Sequence, residues 1–260
     1  MGGAGRSGTT LLRVILDTHP RIACGPELKV IPALAKLWLE FQTAHRPVLE
    51  SYHLSEAEVN RLFARLIAEL LDSYRLKAGK PRVAEKSPNN VFYFPHLHVL
   101  FPESPLVHVI RDGRDVVCSL LSMNWVESVT GEPLTYTRSA AAAAAYWAEA
   151  VRSGRKLLEN EDSRRRYLEL RYEDVVNRPE ETLRALFEFI EEPWDAEVLE
   201  YHRHKRDLAG ESSAEQVARK LYTSAAGRWE RDLRLEDKDA VKAAAGDLLV
   251  ELGYAADQDW

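Results

Sequence analysis

Two cysteines in 260 residues, Cys24 and Cys118, are too few for a disulfide framework or a cysteine-based metal cluster. Both sit among apolar neighbours and read as small buried hydrophobes. No stretch approaches the roughly 18 apolar residues of a membrane-spanning helix, and no signal peptide is recognisable. There is no excess of positive charge: 35 Lys and Arg face 41 Asp and Glu, a net charge of −6. That balance gives no global basic field for nucleic acid. His96 and His98 lack a third ligand at sensible spacing, so no metal site is expected. With 45% hydrophobic residues the chain can fill a sizeable core. These features predict a soluble, cytoplasmic protein with one domain over residues 1–260.

What the chain does have is a glycine-rich start, Met-Gly-Gly-Ala-Gly-Arg-Ser-Gly-Thr-Thr, running into Leu11-Leu12-Arg13-Val14-Ile15-Leu16. Gly3 and Gly8 have the spacing of a phosphate-binding loop, in which backbone N–H groups turn inward around an anion. The helix that follows adds its positive end to the same site. The lysine of nucleotide triphosphatases is missing: Thr9 stands in its place, and the cation is Arg6, inside the loop. A loop of this kind ordinarily follows a buried strand. Only Met1 and Gly2 precede it here, and the expectation is that the first strand is missing and that the natural chain begins further upstream.

Strand and helix signals then alternate. A helix from Leu11 ends near His19-Pro20, and Arg21 to Cys24 reads as a strand. Ile31, Leu34, Leu37 and Trp38 have helical spacing. Ser55 and Glu58 form a capping box ahead of a helix bearing Val59, Leu62, Phe63, Leu66, Ile67, Leu70 and Leu71. Strands are expected over 82–86, 106–110 and 167–172, with helices over 116–123, 140–158, 179–190 and 237–252. Residues 203–228 have few apolar anchors and read as a mobile or ligand-ordered segment. The alternation predicts an α/β protein, P-loop-like, with a mostly parallel central sheet flanked by helices.

Ligands of such sheets bind beyond the carboxyl ends of the strands. Four groups fall there: the 3–10 loop, Glu27, Lys86 and Arg111. Together they suit one anionic nucleotide and one proton transfer. Ser119, two turns into the helix after Arg111, is placed to share a phosphate with it. Taken singly, each has a plainer explanation: Arg111 to Asp115 as a salt-bridged turn, Lys86 as a solvated lysine, Glu27 as a helix-start acid. Trp38, Tyr93 and Trp125 are candidates for an acceptor pocket, with core packing the commoner role.

Arg6-Ser7-Gly8-Thr9-Thr10-Leu11 and Val109-Ile110-Arg111-Asp112-Gly113-Arg114, with Ser119, resemble the two nucleotide motifs of sulfotransferases that use 3′-phosphoadenosine-5′-phosphosulfate (PAPS). The stretch from Arg6 through Asp17-Thr18-His19-Pro20 to Cys24-Gly25-Pro26-Glu27 is closest to the tyrosylprotein sulfotransferase branch. Arg171-Tyr172-Glu173-Asp174, Ser213-x-Glu215-Gln216-Val217 and Arg228-Trp229 are similar to later family segments. The resemblance implies that the first loop holds the 5′-phosphosulfate and that Arg111 and Ser119 hold the 3′-phosphate. It implies that Tyr172, Ser213 and Arg228 belong to the nucleotide site. It also implies Glu27 as the catalytic base and Lys86 as the group stabilising the leaving phosphate, with Arg6 beside it. Arg228 replaces a lysine of that branch, which keeps charge but not geometry.

The function so implied is transfer of a sulfuryl group from PAPS to an acceptor hydroxyl, on a small molecule or a peptide, by in-line displacement. Adenosine 3′,5′-bisphosphate is the product, and no metal is required. Phenols, tyrosine, sugars and natural-product alcohols remain open as acceptors, and a homodimer is left open. Two rivals make different predictions. A P-loop kinase requires Mg²⁺ and ATP. A non-catalytic nucleotide-binding protein requires that Glu27 and Lys86 lie too far apart to share a ligand.

Overall fold

The computed structural model describes every residue except 128–129, 205, 207 and 209. Helix α1 (Thr9–Thr18) leads to strand β1 (Ile22–Cys24), then α2 (Val30–Gln42), α3 (Arg46–Ser51) and α4 (Glu56–Ala78). Strand β2 (Arg82–Ala84) is followed by α5 (Phe94–Leu100), β3 (Leu106–Ile110), α6 (Gly113–Leu121), α7 (Ala140–Arg155) and α8 (Glu161–Arg164). Strand β4 (Tyr167–Arg171) precedes α9 (Tyr172–Asn177), α10 (Pro179–Phe189), α11 (Ala214–Val217), α12 (Trp229–Asp232) and α13 (Leu235–Glu251).

The strands pair in parallel in two halves, β1 with β2 and β3 with β4, rather than in one continuous sheet. Residues 1–3 lie between the halves. Gly2 forms a parallel bridge to His108, and the Met1 amine donates to the Glu85 carbonyl at 2.7 Å. Strand β3 shows the period of two that a sheet covered on both faces requires. Leu106 and Ile110 pack into a core cluster with Trp38, Phe63, Phe94, Cys118, Trp147 and Leu248. Val107 and Val109 pack into a second cluster with Ile15, Ile22, Cys24, Leu170, Leu183 and Phe187. Both cysteines are buried free thiols, one in each cluster.

Helix α4 is capped as expected, with the Ser55 and Glu58 capping box closed in both directions. Its apolar face is narrower than the sequence implies. Val59, Phe63 and Ile67 are buried, whereas Leu62, Leu66 and Leu70 are exposed. The two stripes lie about 100° apart around a 3.6-residue turn, and only the first meets a neighbour. Strand β2 also stops at Ala84, short of the expected Lys86, which leaves residues 85–87 free to turn into the site.

Two corners carry the structure toward that site. Gly8 is the N-cap of α1 with φ 96°, a left-handed geometry, and a Cβ there would lie 2.5 Å from the Tyr172 ring. At the second corner, Asp112 caps α6 by accepting from the Arg114 amide at 2.9 Å. The fully buried Trp147 donates its indole N–H to the Arg111 carbonyl at 3.0 Å. Only glycine at position 113 lets that indole approach, since a Cβ would stand 2.7 Å from it.

Candidate active site

The two corners converge on a cavity of about 120 Å³ lined by Arg6, Gly8, Leu11, Arg111, Ser119, Tyr172, Ser213 and Arg228 among others. Arg6, itself at φ 71°, is the hub. Its Nε donates to Ser119 Oγ at 2.9 Å, and its Nη1 donates to Ser212 and Ser213 Oγ at 2.8 Å each. Burial, and then the neighbouring Arg111 guanidinium, pull the Arg6 pKa below its usual value. Arg111 donates to the Arg6 carbonyl at 3.1 Å and lies over the Tyr172 ring, 4.7 Å from its centroid.

Of the charged residues at the second corner, only Arg111 faces the cavity. Arg114 pairs with Asp112 at 2.7 Å and stacks on Trp229. Asp115 accepts from the amides of Gly227 and Trp229 at 2.8 and 3.0 Å, tying down the far end of the late segment. The plain reading of that charge run as a salt-bridged turn holds for both pairs, Arg114 with Asp112 and Arg111 with Asp115 at 3.6 Å, although they are buried rather than solvated.

A larger cleft of about 680 Å³ adjoins the cavity and shares Arg6, Gly8 and Ser213 with it. Thr9, Thr10 and Glu27 line this cleft, with Lys29, Asn89, Trp125, Tyr136 and Tyr146. Lys86, with no exposed side-chain surface, lies beneath it. Its ammonium is 2.5 Å from Glu27 Oε1 and donates to Thr10 Oγ1 at 3.2 Å. The cation absent from the loop thus arrives from the end of β2. The Glu27 turn is fixed from below: Glu85 accepts from the Leu28 amide at 3.3 Å, and Ser87 Oγ accepts from the Lys29 amide at 3.1 Å.

The structure thus gathers Arg6, Gly8, Leu11, Arg111, Ser119, Tyr172, Ser213 and Arg228 round one cavity and places Thr9, Thr10 and Glu27 in the adjoining cleft, with Lys86 bonded to the last two. Ser7 is fully buried. Trp125 reaches the cleft, while Trp38 packs in the core and bonds Asn60, and Tyr93 leans on His96. Residues 211–213 of the late segment cross the loop; residues 205, 207 and 209 of it lie outside the described residues. Sequence reasoning missed Tyr136 and Tyr146, stacked at 4.4 Å, and the Tyr146 hydroxyl that accepts from the Gly5 amide at 3.0 Å. Burial pushes the Tyr146 phenol up to about 12. It also missed Glu211, which lines the cleft and pairs with Lys86, and Arg13, which pairs with Glu211.

The residues suit an anionic nucleotide. Arg111 Nε and Ser7 Oγ are buried without a hydrogen-bond partner, beside the cationic Arg6 and the N-terminal end of α1. The direct Glu27–Lys86 contact contradicts what a non-catalytic rival requires. Among the described residues, no helix is long and apolar enough to cross a membrane.

Known proteins share this fold. The sulfotransferase domain of the curacin biosynthetic pathway superposes with a TM-score of 0.64 at 22% identity, covering 95% of both chains. The sulfotransferase domain of the Synechococcus PCC 7002 olefin synthase gives 0.63 at 21%, covering 94% of this chain and 92% of that one. In sequence, protein-tyrosine sulfotransferase 1 of Danio rerio is 31% identical over 269 residues, 98% of this chain and 71% of the relative. Protein-tyrosine sulfotransferase A of Caenorhabditis elegans is 30% identical over 264 residues, again 98% of this chain. The chain spans 66% of that relative's length and 46% of the length of the Drosophila melanogaster protein-tyrosine sulfotransferase. The sulfotransferase family model matches residues 1–196, through both corners and the Glu27–Lys86 pair, and the chain belongs to that family.

Proposed function

We propose that the protein transfers a sulfuryl group from PAPS to an acceptor hydroxyl. The observation that carries this reading is the Glu27–Lys86 contact of 2.5 Å at the cleft, with Lys86 also bonded to Thr10, two residues beyond the Gly8 that cleft and cavity share. One carboxylate and one ammonium meet where a hydroxyl from the cleft would face an anion from the cavity. When bound, PAPS supplies an activated sulfuryl group with a phosphate leaving group.

Glu27 accepts the proton of the acceptor hydroxyl, and its remaining exposure on the cleft side gives it access. Lys86, Thr10 and Arg6 offset charge on the leaving phosphate: Lys86 frees an N–H as Glu27 takes the acceptor proton, while Arg6 stays anchored through Ser119. Arg111 and Ser119 hold the distant 3′-phosphate and set the register of the nucleotide. The cavity, at about 120 Å³, is smaller than the roughly 300–1,000 Å³ of ordinary ligand pockets. The late segment that closes it through Ser212, Ser213 and Ala225 therefore opens to admit the nucleotide and closes after it.

Trp125, Tyr136 and Tyr146 favour an aromatic acceptor, a phenol or a tyrosine side chain, over an aliphatic alcohol. A cytoplasmic setting is part of the reading, supported by the two free thiols. Titration calorimetry with adenosine 3′,5′-bisphosphate tests the donor half, and a labelled-donor assay over phenols and tyrosine peptides tests the rest. Binding followed by label transfer is expected. No heat with the bisphosphate in the folded protein overturns the proposal.

A further inference from the structure

Glu211 and Arg13 were given no role above, yet they meet at the site. Glu211 reaches back from the late segment beneath the loop. One carboxylate oxygen lies 3.0 Å from Arg13 Nε. The other lies 3.1 Å from Lys86 Nζ and accepts from Thr10 Oγ1 at 3.0 Å. Glu211, Arg13 and Lys86 are buried to within 5%, 2% and 0% exposure of their side chains. Lys86 therefore sits between two carboxylates, Glu27 and Glu211, both of which line the cleft.

The two carboxylates differ in what proton transfer does to them. On the reading above, Glu27 becomes neutral as it takes the acceptor proton, and its ion pair with Lys86 vanishes. That loss falls at the moment when Lys86 must stand fixed against the leaving phosphate. We infer that Glu211 is a positioning residue that holds Lys86 and the Thr10 hydroxyl in place while Glu27 changes charge. It takes no proton and forms no bond to substrate.

Arg13 is the reason Glu211 stays. Its Nη1 donates to the Cys24 carbonyl at 3.2 Å, while Nε and Nη2 have no hydrogen-bond partner. Glu211 is thus the balancing charge of a buried cation, and withdrawing it would strand that cation. Burial works to raise the Glu211 carboxyl, but Lys86 and Arg13 outweigh it and hold the group below the usual range, ionised. The same residue begins the Ser212–Ser213 pair on Arg6, so closure of the late segment and placement of Lys86 are one event.

This inference rests on the sulfuryl-transfer reading, and a cycle of variants tests it. In Glu211→Gln the amide carbonyl can remain on Arg13, which places the amide nitrogen against Lys86. Turnover is expected to fall on the order of 10- to 100-fold, with the donor KM within about threefold. Added to Lys86→Met, the same change should slow turnover by less than about twofold, because its target is gone. A purely structural role would instead lower both backgrounds equally. Glu211→Asp keeps a charge near Arg13 but draws back from Lys86. It should be intermediate in rate with an unchanged melting temperature, and it carries the test should Glu211→Gln fail to fold. Full turnover in both variants, effects that multiply with Lys86→Met, or tighter donor binding without slower turnover overturns the inference. That last result would make Glu211 a placeholder that vacates the site. A wild type that binds no bisphosphate overturns the parent reading as well, and the two failures are told apart by that control.

Discussion

The cavity and the cleft are built in different ways. The cavity takes Arg6, Gly8, Leu11, Arg111 and Ser119 from the two corners and the rest of its wall from Tyr172, Val176, Tyr201 and the 213–228 segment, and several of its polar groups are already bonded to one another. The cleft is lined by residues from six separated stretches, between Gly5 and Ser213, and its aromatic wall comes from connecting segments and one helix. A pocket whose polar groups hold one another in place suits a ligand that never changes. A mouth made of connections can be altered one residue at a time without disturbing the fold. Glu27 and Lys86 lie on the seam.

Substitutions can break this contrast. The largest effect is expected at the seam. Glu27→Gln should cut kcat by roughly 10²- to 10⁴-fold while bisphosphate affinity, read by calorimetry, stays within about threefold. Equal loss of both would merge the two regions into one. Lys86→Met should slow turnover by about 10²- to 10³-fold, and an unchanged rate would remove it from the reaction.

Arg111→Ala should weaken bisphosphate binding by about 1.5–3 kcal/mol and leave the acceptor KM alone. A shift in the acceptor KM instead would show that the cavity is not a separate unit. Acid should also reach the cavity side, through β3. Burial pushes the His108 imidazole down to about 3, so the fold holds it neutral. The unfolded chain protonates near 6.5, so stability is full above that pH and falls as pH drops toward 3, by about 1.4 kcal/mol per unit. Urea unfolding at pH 7.5 and 5.5 should show that loss in the wild type and not in His108→Asn. Smallest is the cleft wall: Tyr136→Ala should raise the KM of an aromatic acceptor about fivefold without touching bisphosphate affinity.

The same contrast explains what could be read from the chain in advance. The two corners of the cavity were legible because Arg6 to Leu11 and Arg111 to Ser119 are each short and local, whereas Tyr172, Ser213 and Arg228 came only with the family resemblance. Strand β3 and the α4 cap were legible for the same reason. Glu211 was not: its partner Thr10 is 201 residues away, and nothing local marks a lone glutamate in a polar segment. Leu62, Leu66 and Leu70 fit the helical period as well as Val59, Phe63 and Ile67, and only tertiary contact decides between the stripes. The division of the sheet into halves depends on which backbone edges meet, which side-chain pattern does not encode.

Cys24 and Cys118 occupy opposite layers of the core, and burial pushes both thiols up to about 12. In the native state neither presents thiolate to an alkylating reagent at neutral pH. Their modification rates therefore count openings of the layer each belongs to, and mass spectrometry of the two peptides would time those openings separately. The protein carries its own pair of clocks, one on each side of β3, with no label added.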